Sequence, residues 1–117
     1  MRRNSIFIED ILEAMDKIGR YIEGSTYETF VGNEMVIDAV IRNLEIIGEA
    51  AKNIPDDAKE KYPDIPWKRM IGLRNITIHE YFGVDLSIIW KIITENLPET
   101  RSMIKTMLKG LRKEEKR

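Results

Sequence analysis

The sequence predicts an all-α fold, an antiparallel bundle of four to five helices, on three observations. Apolar residues recur at steps of three and four along most of the chain, the period of a helix with one buried face. Glycine, proline and capping residues fall mainly at the ends of those stretches. No stretch alternates apolar and polar residues as a half-buried strand would. Short connections between the stretches favour antiparallel neighbours.

The first stretch carries Phe7, Ile8, Ile11, Leu12, Met15, Ile18 and Ile22, with Ser5 as the expected N-cap and Gly24 as the stop. Ser25 to Gly32 reads as a polar, aromatic connector holding one short helical turn, because Tyr27 and Phe30 are spaced for it. Asn33 is expected to cap a long second helix through Val36, Ile37, Val40, Ile41, Leu44, Ile47 and Ala51 to about Asn53. Gly48 lies inside it, where a missing side chain lets a neighbouring helix approach closely; the bland alternative is a glycine that mildly destabilises the helix. Pro55 to Ala58 reads as the first turn of a short helix, with Asp56 and Asp57 well placed at its positive end. Pro63 and Pro66 bracket an extended connector. Trp67 opens a third main helix with Met70, Ile71, Leu73 and Ile78, expected to end before Gly83. Asp85 caps the fourth, which carries Leu86, Ile88, Ile89, Ile92, Ile93 and Leu97. Pro98 either kinks that helix or begins a fifth, marked by Met103, Ile104, Met107, Leu108 and Leu111. Trp67 and Trp90 sit at apolar-periodic positions and are expected to pack. The tail, 112–117, is charged and expected to fray. With 117 residues, the expectation is one domain spanning 1–117.

At 43% hydrophobic and 33% charged residues, the composition is that of an ordinary globular chain. The formal net charge of -1 gives no global attraction for a nucleic acid, so a polyanion would need a local basic rim. Arg42, Lys52, Lys68 and Arg69 are its candidates. Cysteine is absent, which excludes disulfides, thiolate nucleophiles and Cys-based metal sites, and fits a reducing cytoplasm. No apolar run approaches a membrane span, and Glu9, Asp10 and Glu13 interrupt the N-terminal stretch as a secretory signal would not. The expectation is a cytoplasmic protein with no membrane partner. The Ile-rich core and Lys/Glu-rich surface suggest a heat-tolerant source.

Only one histidine is present, so a His-only metal site within one chain is excluded and neither metal nor cofactor is expected. No phosphate-cradling glycine loop and no nucleophile elbow occur. Asp56, Asp57, Glu60 and Asp64 read as solvent-facing helix-start residues. Glu49, within an apolar stretch, either pairs with Arg42 or faces a dimer cleft. Chemically capable side chains concentrate between Gly72 and Gly83: Arg74, Asn75, His79 and Tyr81. On an ideal helix Arg74 and His79 would stand about 140° apart. They converge only if the helix end distorts or if both face a cleft shared with a second subunit. An Arg and a His suffice for RNA cleavage, because the ribose 2′-hydroxyl is the nucleophile. A histidine moves the proton near neutrality, and an arginine holds the phosphate. One histidine per chain falls short of a separate acid and base, which two subunits would supply. The structural alternatives are an Arg74 pair with Glu80 or Asp85 and a Tyr81 ring packed in a core or interface.

The R-x-x-x-x-H-x-Y arrangement of Arg74, His79 and Tyr81 resembles the signature of the HepT-like toxins of the HEPN superfamily. The similarity extends through Arg42 to Ala51, Tyr62-Pro63-Asp64-Ile65-Pro66-Trp67, Ile71 to Asn75, Val84-Asp85, Ile89-Trp90 and Leu97-Pro98. It implies a HEPN-like bundle that dimerises through the motif helices, as a homodimer or higher even oligomer. It implies a metal-independent RNA endonuclease with His79 as acid/base, Arg74 on the phosphate and Asn75 orienting substrate or histidine, leaving 2′,3′-cyclic phosphate ends. It also implies the toxin of a toxin-antitoxin pair, whose minimal nucleotidyltransferase antitoxin transfers AMP to Tyr81. A reading from another class is a non-catalytic partner or nucleotide-binding module for that nucleotidyltransferase. A third is a helical dimer whose motif knits the interface.

Overall fold

The computed structural model describes residues 3–76 and 85–116, and all regular structure among them is helical. The elements are α1 (Asn4–Tyr21), α2 (Tyr27–Val31), α3 (Glu34–Lys52), α4 (Asp56–Glu60), α5 (Trp67–Gly72), α6 (Leu86–Lys91) and α7 (Leu97–Glu115). A 3-10 turn, Leu73–Asn75, extends α5, and a π-helical turn, Ile92–Asn96, joins α6 to α7.

The three long helices form the frame, with α1 packed against both α3 and α7. Their directions follow from side-chain ties. Ser5 meets Glu115, Glu9 meets Arg112 and Asp16 meets Arg101, so α1 and α7 run antiparallel. Phe7 shares a cleft with Ala50 and Asn53, and Lys17 one with Asn43, so α1 and α3 are antiparallel too. The periodic residues meet inside: Ile8, Ile11 and Ile18 of α1, Ile41, Leu44 and Ile47 of α3, Ile104 and Met107 of α7, all essentially inaccessible. Truncating one of these isoleucines to alanine removes transfer energy and leaves a cavity, at a cost of about 2–5 kcal/mol.

The short elements close the ends of the frame. Thr26 and Thr29 cap α2 reciprocally, which fixes a five-residue helix too short to stand alone. Its Phe30 is buried against Trp90 with ring centroids 5.1 Å apart, and Tyr27 lies 6.3 Å from the same indole. Trp67 is half-buried, and its indole N–H donates to the Tyr62 carbonyl at 3.1 Å. Both tryptophans pack, as their periodic positions predict. Asn33 caps α3 and Asp85 caps α6 through their side chains, also as expected.

Three expectations need revision. Ser5 is not the N-cap of α1 but its second residue, buried, donating its amide and hydroxyl to the Glu115 carboxylate. One orphan amide of the α1 N-terminus is thus satisfied from the far end of the sequence. For the same reason the tail expected to fray is helical to Glu115, with Arg112 paired to Glu9 at 2.8 Å. The third main helix is shorter than predicted: α5 ends at Gly72, the 3-10 turn at Asn75, and Ile76 is extended at φ -85, ψ 101. Pro98, expected either to kink the fourth helix or to begin a fifth, stands in the first turn of α7, directly after the π turn. The backbone stays helical through Lys91, Ile92, Asn96 and Leu97, and the wider π turn lies just before the proline, whose ring and missing N–H an α-helical interior would not accept. Thr94 in that turn donates its hydroxyl to the Trp90 carbonyl at 2.6 Å.

No described helix is long and apolar enough to cross a membrane.

Candidate active site

Of the four side chains singled out by the sequence, Arg74 and Asn75 fall among the described residues; His79 and Tyr81 lie outside them. Arg74 sits in the 3-10 turn that ends α5, and this turn packs directly on α3. The contact point is Gly48. A Cβ placed there would stand 2.5 Å from the Arg74 amide nitrogen and 2.8 Å from the Arg74 Cβ. The glycine therefore admits the Arg74 backbone to a distance that any side chain would block, the close approach its position inside an apolar helix predicts.

Arg74 is held from a second direction by the next residue of α3. Its Nη1 lies 3.3 Å from Oε1 of Glu49, with the two side chains 31% and 55% exposed. Neither arrangement expected for Glu49 names this partner. Arg42 instead pairs with Glu45 at 3.4 Å along the same helix. Nor is Arg74 engaged by Asp85, whose carboxylate accepts from the Ser87 amide at 2.9 Å and hydroxyl at 2.6 Å. Those two bonds hold the Asp85 carboxyl below its ordinary range, the side-chain bond contributing most. Glu80, the other expected partner of Arg74, lies outside the described residues. No local signal marked Glu49 as the partner, because successive helix residues face about 100° apart and the approach at Gly48 does not by itself select it.

The end of the helix at Asn75 also changes the geometry of the motif. The angle of about 140° between Arg74 and His79 assumed one continuous α-helix. The chain narrows to a 3-10 turn at Leu73 and turns extended at Ile76, so helical phase no longer fixes the relation of the two residues. The distortion that convergence requires is thus present between them.

Around this point the charge is mixed. Lys52, Lys68 and Arg69 are exposed, while Arg42 and Arg74 each face a carboxylate of α3. Arg69, Gly72 and Leu73 border a groove of about 550 Å³ between α5 and the start of α7, which also takes in Leu97, Thr100 and Met103. A guanidinium presents five N–H donors in a planar fork. Contact through one terminal nitrogen leaves the Nε–Nη2 edge able to take a phosphate bidentately. Arg74 is therefore an anchored cation, partly exposed, at the end of a helix, and Glu49 is its ion-pair partner among the described residues.

Comparison with known proteins bears on what such a cation does. The model of the HepT-like family, described as ribonuclease HepT-like, matches residues 11–107. A candidate RNase of Methanocaldococcus jannaschii is 46% identical over 98 residues, covering 84% of this chain and 90% of the relative. A protein of Thermococcus cleftensis named as a probable ribonuclease HepT is 41% identical over 108 residues, 92% of this chain and 98% of the relative. A candidate RNase of Caldanaerobacter subterraneus is 40% identical over 102 residues, covering 87% and 91%. No solved structure matches.

Proposed function

The chain belongs to the HepT-like ribonuclease family, and from that premise we propose that it is a metal-independent RNA endonuclease whose reaction runs through Arg74 and His79. The observation that carries the reading is the mounting of Arg74: backbone laid on Gly48, guanidinium beside Glu49, side chain partly exposed. A purely structural arginine would bury its stem and spend its donors inside the fold.

In this reading Arg74 binds the scissile phosphate and stabilises the added charge as the ribose 2′-oxygen attacks phosphorus. His79 transfers the proton, Asn75 orients the substrate or the imidazole, and the P–O5′ bond breaks to leave a 2′,3′-cyclic phosphate and a 5′-hydroxyl. A separate acid and base need two imidazoles, so two copies of the chain face each other across the cleft. The toxin role and its control follow the family. A minimal nucleotidyltransferase antitoxin transfers AMP from ATP to the Tyr81 oxygen with release of pyrophosphate, and the added negative charge repels RNA. The setting is the cytoplasm.

The test is cleavage of an end-labelled structured RNA by the purified protein in EDTA, beside an Arg74→Ala/His79→Ala double variant. Cleavage by the wild type alone, with 2′,3′-cyclic ends, is the expected result. A wild type that forms dimers, carries no AMP and leaves the RNA whole would favour the non-catalytic partner module.

A further inference from the structure

We infer that Glu49 is a positioning residue for the cleavage reaction, orienting the guanidinium of Arg74 toward the phosphate; the inference rests on the nuclease reading above. Gly48 and Glu49 act on the two ends of Arg74. The glycine fixes the backbone, since a Cβ there would lie 2.5 Å from the Arg74 nitrogen. The carboxylate holds the head group, 3.3 Å from Nη1. An arginine side chain has several free torsions, and a backbone anchor alone leaves the guanidinium to sweep a wide arc. With Nη1 held, the Nε–Nη2 edge points along a restricted set of directions.

Two features separate this role from a casual ion pair. Arg74 is partly exposed and Glu49 well exposed, at 31% and 55%, so solvent screens the pair and it does little for stability. An acid beside a phosphate-binding cation also works against RNA by repulsion, so a bystander carboxylate here is a net liability for binding. Orientation of Arg74 is the service that offsets it. Arg42, the cation expected to pair with Glu49, is engaged by Glu45 instead.

The experiment is steady-state cleavage of the labelled RNA by the full chain and by Glu49→Ala, Glu49→Gln and Glu49→Asp, the alanine change also in an Arg74→Ala background. Removing the carboxylate is expected to lower kcat by about ten- to a hundredfold, the scale of a misplaced group about 1 Å from its working position. KM for RNA should stay the same or fall, because a negative charge has gone. Glu49→Asp should recover part of the rate, and Glu49→Ala should cost nothing further once Arg74 is absent. A merely structural residue would shift the melting temperature without this kcat-against-KM split. Wild-type or raised kcat in both Glu49→Ala and the isosteric Glu49→Gln, with Arg74→Ala inactive, would overturn the inference and leave the nuclease reading intact. Equal rates for wild type and Arg74→Ala would remove the nuclease reading, and the role of Glu49 with it.

Discussion

At Gly48 and Gly19 the same residue type has opposite consequences. Gly19 lies on the exposed side of α1, and a Cβ there meets nothing within 4 Å. Gly19→Ala removes a flexible residue from a helix interior and is expected to stabilise the fold by about 0.5–1 kcal/mol. Gly48→Ala drives a methyl into the Arg74 backbone and is expected to cost about 1–3 kcal/mol, with loss of cleavage as the 3-10 turn shifts. Urea denaturation of both variants decides the point. Equal midpoints would mean that Arg74 does not depend on contact with α3. From the sequence alone both were glycines inside helical patterns. The interior apolar position of Gly48 hinted at an approach, but what approaches is a matter of tertiary contact. Glu49 shows the same limit. Its charge and place in α3 were plain, yet its partner comes from a segment 25 positions further along the chain, as Arg74 pairs with Glu49.

The helices divide into those whose ends local chemistry sets and those whose ends packing sets. Asn33 and Asp85 cap their own helices through bonds to residues two or three positions on, so the sequence is enough to find them. Asp85 also gives a pH dependence of defined sign. Its carboxyl is held below the ordinary value of 3.8 by the Ser87 hydroxyl and then by the Ser87 amide. A depressed carboxyl stabilises the folded state above the unfolded-state value and loses that contribution as pH falls through the folded-state value. Thermal melts from pH 5 downward should therefore drop more steeply for the wild type than for Asp85→Asn. Parallel curves would mean that the cap is not held in solution. The α1 N-terminus is the opposite case, because its amide partner, Glu115, belongs to the last turn of α7. Serine near a helix start is a good local signal for a cap, but a carboxylate brought across the bundle takes precedence. The early end of α5 has a similar cause. Periodicity alone runs on past Leu73, whereas the 3-10 turn lays the chain on α3 at Gly48 and the backbone leaves helical geometry at Ile76.

On the scale of the whole molecule, charge constrains how RNA is held. A chain with net charge -1, and with carboxylates beside two of its candidate arginines, has few cations to spare for a polyanion. RNA affinity should accordingly depend weakly on salt, with a shallow slope of log K against log salt. Replacing Arg74 by alanine is expected to reduce that slope by about 0.7, the contribution of one phosphate on a single strand. Fluorescence anisotropy across a salt series measures it. An unchanged slope would take Arg74 off the phosphate.

The sequence by itself determined the helical class, the antiparallel arrangement, most of the buried stripe, the caps at Asn33 and Asp85 and the family. All of these are written in residues near one another along the chain, in periods and caps that act over one or two turns. Tertiary structure alone decided that Glu115 serves α1, that Gly48 receives the backbone of Arg74, that Glu49 faces its guanidinium and that the motif helix stops before His79. Those depend on which surfaces the three long helices bring within a few ångströms of each other. A contact of that kind carries no local period, because its partners are chosen by packing and not by their neighbours in the chain.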